Sequence, residues 1–396
     1  MVKMRRLLPV IDHGCLAAAS LLVTVLAARN LPVAQFAAFA ALQLVVFLIV
    51  GAFRAGPGGW IVVADPRTSL EKLGTGLAVI AVALGVASSV VVVVVCIVLG
   101  LPWDTVFWTT AYLTLLLLVD ALRFRCYRAQ EVASASVLSA GALIVLLAMA
   151  LVIRPTGISG ILAVAGAAYG VVALSASLAL TSRRAAVDGV HLVLRCGREM
   201  GKGTLKGYMG LSAFRLGAPI AMSFTGGPVM LASFRGAQTL ASLPLQIPES
   251  LRLPYLVRGT RLHQTQGDLP VAYRRSWPLM LCAVLGPCLV LAVVVPDALG
   301  EAVLGDTWRV AKTALPFILI GAFFNQLTVG IELVARIKGG VEHVARVRVW
   351  AGVVGLPVVA LAARSGLAAA MGAYSLVCLA TWVVARAGDP DGGVRQ

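Results

Sequence analysis

The chain has 396 residues, 60% of them apolar and only 13% charged, with a mean hydropathy of +0.94. That balance excludes an ordinary soluble domain. The net charge of +16 would suggest a nucleic-acid partner in a soluble protein, but its placement along this chain points to membrane topology and no nucleic acid.

The first apolar stretch follows Lys3, Arg5 and Arg6 and imitates a secretion signal. Asp12 interrupts it, and Asp12-His13-Gly14 before Cys15 is a poor lipoprotein site, so a retained first span is expected. Runs such as Leu77–Leu99 carry no charge and exceed the roughly 20 residues that cross a hydrocarbon core of about 30 Å. Lipid offers backbone groups no hydrogen bonds, so such runs fold as helices. The pattern predicts an all-α polytopic membrane protein of about twelve spans: roughly 9–28, 32–53, 75–99, 104–122, 132–153, 158–181, 208–232, 237–256, 276–296, 311–335, 343–363 and 366–386.

With the N-terminus inside, the inner segments hold 26 of the 33 Lys and Arg. The outer turns hold Arg29, Arg154, Arg235, Arg309 and Arg364, while Arg215 and Lys312 fall within spans. This satisfies the positive-inside rule and puts a multi-pass protein in the cell membrane with both termini cytoplasmic. None of the seven cysteines falls in an outer loop, so no disulfide framework is expected.

The second half restates the first at an offset of about 205 residues. Ala34-Gln35, Ala38 and Leu42-Gln43 recur as Ala237-Gln238, Ala241 and Leu245-Gln246. Gly100-x-x-Trp103 recurs as Gly305-x-x-Trp308, and Gly160, Gly166 and Ala167 as Gly366, Gly372 and Ala373. Internal repeats mark transporters that rock two similar halves around a central site. Two six-helix bundles, 1–190 and 206–396, are expected around a basic cytoplasmic linker at 191–205. Six spans is an even number, so their symmetry axis should follow the membrane normal. The stretch from Val190 to Arg198 suits either a short helix on the anionic inner leaflet or a solvated linker.

Chemistry motifs are absent: no P-loop, no metal-spaced Cys/His pair and no H-E-x-x-H, so no cofactor, metal or enzyme activity is expected. What remains are polar residues inside spans, which are costly and therefore suggestive. Asp12 lies in span 1, Asp120 near the inner end of span 4, and Arg215 in span 7. Span 8 carries Gln238, Pro244, Gln246, Pro248 and Glu249; span 10 carries Asn325, Gln326 and Glu332. Spans 8 and 10 should face a cleft between the halves. Asp120 with Arg123 and Glu332 with Arg336 read as ion pairs at inner span ends.

The turn Ala28-Arg29-Asn30-Leu31-Pro32, the span-4 exit from Asp120 to Gln130 and the segment from Leu304 to Ala311 resemble the multidrug/oligosaccharidyl-lipid/polysaccharide exporter superfamily. Within it, the six-plus-six layout resembles the polysaccharide-type flippases, and the resemblance covers nearly the whole chain. It implies a secondary transporter that moves a polyprenyl-pyrophosphate-linked oligosaccharide from the inner to the outer leaflet by alternating access, with glycan-assembly proteins as partners. Arg215 is then the first candidate for the pyrophosphate, Arg29 and Arg235 flank the outer mouth, Arg54 the inner mouth, and Gln246 lines the site. Asp12, Glu249 and Glu332 could take H⁺ or Na⁺ to reset the cycle. The rival readings are a drug or small-molecule antiporter of the same superfamily, a membrane-embedded glycan-assembly enzyme, and a structural partner in glycan export.

Overall fold

The computed structural model describes residues 2–63, 68–177, 183–200, 202–294, 296–304, 308–338 and 340–388. Among them are sixteen α-helices and no strand. The protein is an all-α, polytopic membrane protein, and ten helical segments are long and apolar enough to cross a bilayer. Two further helices, α10 (Lys202–Gly226) and α11 (Pro228–Gln266), have the length but are more polar. The chain divides into two compact units, Met1–Leu205 and Lys206–Gln396.

Unit 1 starts with α1 (Val2–Asn30) and α2 (Val33–Phe53). A π-helical turn, Arg54–Gly58, joins α2 to the short α3 (Gly59–Val63). Pro57 cannot donate to the backbone ladder, and the chain kinks at Gly56 (φ −91°, ψ −113°). Gly58 is required there by contact, since a Cβ would lie 2.7 Å from the Phe124 ring. A third crossing is built from α4 (Leu70–Ala87) and α5 (Ser89–Val98). Then come α6 (Trp103–Arg128), α7 (Val132–Ile153), α8 (Gly157–Ser177) and α9 (Arg183–Met200). Helix α6 is central and packs against α2, α4, α7 and α8.

Helix α9 turns one stripe, Gly189, Val193, Cys196 and Gly197, toward the unit and exposes Val187, His191, Leu194 and Arg195. It docks on α4 backbone to backbone: a Cβ on Gly189 would lie 2.0 Å from the Lys72 carbonyl oxygen. Of the two forms that the sequence allows for this segment, helix and solvated linker, the structure adopts the helix, 18 residues long.

Unit 2 contains the rest of α10, α11, α12 (Val271–Val294), α13 (Asp297–Leu304), α14 (Trp308–Lys338), α15 (Glu342–Ala363) and α16 (Leu367–Ala387). Trp103 opens α6 and Trp308 opens α14, the two tryptophans of the sequence repeat. Helix α14 is central here, packed on α11, α12 and α16. Its core centres on Trp308, Phe234, Phe214 and Tyr374, with a second cluster around Trp277 and Leu333. Helices α10 and α15 cross closely through glycine: a Cβ on Gly210 would lie 2.6 Å from the Val349 nitrogen, and one on Gly355 2.7 Å from the Phe214 ring.

The expected span 7–span 8 boundary, between 232 and 237, is corrected. The break is at Gly227, which has φ +84° and is followed by Pro228 at the first helical position. Helix α11 then runs 39 residues through Pro244, Pro248 and Pro254.

Candidate functional site

In unit 1 four charged side chains, Asp12, Arg54, Asp120 and Arg123, form one network. Asp12 on α1 is fully buried and accepts from Arg123 Nε at 3.0 Å, from Arg123 Nη2, from Tyr127 Oη at 2.6 Å and from Ser139 Oγ. Asp120, also fully buried, accepts from Arg54 Nε at 2.6 Å and Nη2 at 3.1 Å, and from Arg123 Nη1 at 2.6 Å. Two carboxylates meet two guanidiniums, so the network is electrically balanced, and it ties together α1, α6, α7 and the kink after α2. Arg54 and Asp12, expected to serve separate roles, share this network. The kink at Gly56–Pro57 follows directly on Arg54.

The corresponding cluster of unit 2 is not balanced. Glu332 on α14 is held by Arg336 on the same helix and Arg348 on α15. Glu249 on α11 pairs with Arg252 at 2.7 Å and accepts from Gln326 Nε2 at 2.8 Å, while Gln326 Oε1 accepts from Arg252 Nη2 at 3.2 Å. The polar residues of spans 8 and 10 therefore meet one another across the α11–α14 contact. Arg215 on α10 is half-buried beside Tyr374 and Cys378, and it has no ion-pair partner among the described residues. Five arginines (215, 235, 252, 336 and 348) thus share this region with two glutamates, a surplus of three positive charges.

Arg215 and Arg348 line one cavity together with Asn325, Thr328 and Thr381. It measures about 20 Å³, room for a single water. Arg348 is 3% exposed, and its Nε and Nη2 have no hydrogen-bond partner. Buried guanidinium donors without acceptors are costly, so this arrangement favours an acceptor from outside the chain. The glycine crossing of α10 and α15 brings the two arginines together. A larger pocket of about 370 Å³ lies in unit 1, walled by Trp108, Met149, Ala163 and Ala167, with Arg154 at its edge.

Of the remaining sequence candidates, Arg29 is exposed in the last turn of α1. Gln246 donates to the Ser242 carbonyl at 3.2 Å. Arg235 is corrected: it is not in an outer turn but buried within α11, donating to Gln238 Oε1 at 2.7 Å, because the turn lies eight residues earlier, at Gly227. Arg123, Arg252 and Arg348, counted as inner-loop charges, lie inside helices, and Arg123 and Arg348 are each 3% exposed. A signal existed for Arg348, which continues the stripe of Val344, Ala345, Gly352 and Gly355 that α15 buries.

Outside the spans, Lys72 Nζ bonds the exposed Asp188 at 2.9 Å and holds its carboxyl below the usual range. The Leu269 amide and Lys338 do the same for Asp268.

No protein-family profile and no curated protein matches the chain. Its likeness is to solved structures. A MOP-superfamily transporter from Pyrococcus furiosus, whose binding pocket is described as reversed in polarity and suggestive of a different function, aligns at TM-score 0.68 and 10% identity over 96% of this chain and 94% of that one. A MATE transporter from Vibrio cholerae aligns at 0.69 and 14% identity, over 97% and 96% of the two chains. The outward-facing conformation of a multidrug-resistance MATE family transporter aligns at 0.68 and 10% identity, over 98% and 95%. At these identities the likeness shows a shared fold, the one found in MOP-superfamily transporters.

Proposed function

We propose that this chain is a secondary transporter of the multidrug/oligosaccharidyl-lipid/polysaccharide exporter type, with twelve crossings, both termini cytoplasmic and an alternating-access cycle. Its substrate is an anionic amphiphile of the class of polyprenyl-pyrophosphate-linked oligosaccharides, moved from the inner to the outer leaflet. The observation that carries the substrate class is the surplus of arginine over glutamate around Arg215 in unit 2. An arginine in a hydrocarbon span costs at least about 2.5 kcal/mol, and a diphosphate offsets that cost through charge-assisted, bidentate bonds. Arg235 and Gln246 of the same unit serve the substrate path, and Arg29 remains a candidate substrate contact. Glu249 and Glu332 are the carboxylates through which H⁺ or Na⁺ could couple. We assign Asp12 and Arg54 to the balanced network of unit 1, a scaffold role.

A small-molecule antiporter is the second reading. On fold likeness alone it is the better supported, since the neighbours described with a substrate class are multidrug transporters. The apolar 370 Å³ pocket of unit 1 suits such a compound. One neighbour described as having a pocket of reversed polarity suggests that charge rather than fold separates the functions.

The deciding experiment reconstitutes the protein in liposomes with a labelled polyprenyl-pyrophosphate sugar on one side and a cationic dye on the other. We expect the lipid to move, Arg215→Ala to fold normally but move none, and Arg215→Lys to keep partial activity. Dye exchanged for protons with the lipid left in place would establish the antiporter instead.

A further inference from the structure

We infer that the cavity between α10 and α15 is a phosphate subsite, with Arg215 and Arg348 as its ligands and Glu332 as a resident competitor for Arg348. The inference rests on the anionic-substrate reading above for the identity of the substrate, but the site itself follows from the geometry. Arg348 commits Nη1 to Glu332 and leaves Nε and Nη2 without acceptors. Those two donors form the planar edge that matches two oxygens of a phosphate. Arg215, which lines the same cavity with no carboxylate partner, supplies the second charge. Asn325 completes the polar lining with an amide able to donate to a further oxygen, while the Thr328 and Thr381 hydroxyls already donate to the Phe324 and Val377 carbonyls.

A 20 Å³ cavity holds one water and not a phosphate. Anion entry therefore needs room, and displacing the Glu332 carboxylate from Arg348 gives it. In that exchange the Arg348–Glu332 ion pair breaks and an Arg348–phosphate pair forms. No covalent bond changes. The charged groups around Glu332 are Arg336 on its own helix, Arg348 on α15 and Arg252 on α11. Arg336 and Arg252 stay beside the displaced carboxylate, so Glu332 remains ionised and the exchange needs no proton.

The test uses the full chain in nanodiscs and UDP-glucose as probe, because the charge of its diphosphate diester stays constant between about pH 8 and pH 6. Binding is measured by calorimetry across that range, with thermal melting as the check on folding. With Glu332 ionised throughout, affinity should change little across that range. Arg348→Lys keeps a charge for Glu332 but loses the planar edge, so it should melt like the wild type and bind at least about tenfold more weakly. Glu332→Gln removes the competitor and should bind more tightly.

Wild-type affinity in both Arg348→Lys and Arg215→Gln would overturn the site, as would a wild type that does not bind. Wild-type or weaker affinity in Glu332→Gln would overturn the exchange. If arginine-dependent binding holds but no lipid-linked sugar is translocated, the site stands and the substrate reading falls. If Arg348→Lys translocates the lipid-linked sugar at the wild-type rate, the substrate reading stands and the site falls.

Discussion

At the scale of single residues, arginine plays two opposite parts in this protein. Arg123 closes a balanced network, bonding Asp12 and Asp120 at once while only 3% exposed. Removing it leaves buried Asp12 without a cation, while Asp120 keeps Arg54, so Arg123→Ala should cost about 3–5 kcal/mol, visible as a large drop in melting temperature in detergent. Adding Asp12→Asn to that variant should recover part of the loss, and no recovery would mean that the network does not act as a unit. Arg215 has no carboxylate to strand, so Arg215→Ala should melt within a few degrees of wild type. The pairs Asp120–Arg123 and Glu332–Arg336 are legible in the sequence because helical spacing alone brings them together. The Arg348–Glu332 pair is not, because it depends on how α14 meets α15, and because Arg348 reads in sequence as part of the inner loop before it.

At the scale of elements, the least forgiving contact is α9 on α4. Gly189→Ala would drive a Cβ into the Lys72 carbonyl oxygen, and backbone cannot move aside as a side chain would. We expect that variant to release α9, read as accelerated amide exchange over 183–200 with exchange elsewhere in unit 1 unchanged. The Lys72–Asp188 bond across the same contact is exposed and adds little, so Asp188→Asn should leave exchange nearly as it is. The Asp188 carboxyl is held below its usual range, so its contribution is complete above the unfolded value of about 3.9 and fades only as pH falls through the folded value. Exchange protection of α9 should therefore be flat from about pH 5 to pH 8. Most helices are readable from their apolar length. The α10–α11 boundary is signalled by Gly227-Pro228, and only the apolar run that continues to residue 232 hides it.

At the scale of the whole molecule, the apolar runs suffice to identify a polytopic helical protein, since lipid leaves the backbone few alternatives. The site is less legible: a mid-span arginine stands out in sequence, but the count of charges around it needs the packing of α10, α11, α14 and α15. Orientation is open to a direct check. Cysteines placed at 157 and 227 should react with an impermeant reagent from outside, and cysteines at 190 and 265 should not. The opposite pattern would invert the topology.

The uneven charge of the two buried networks has an electrical consequence. The Asp12–Asp120 network of unit 1 puts no net charge into the membrane field, whereas the arginine site of unit 2 carries uncompensated positive charge. On the proposed reading a diphosphate offsets that charge, so the unloaded site is more charged than the loaded one. Each charge that crosses the full field is worth about 2.3 kcal/mol per 100 mV. A cell interior that is negative would draw the unloaded site back toward the cytoplasm after each delivery. The resting potential itself would then drive the return stroke, and collapsing it would slow the cycle even with every coupling ion still present.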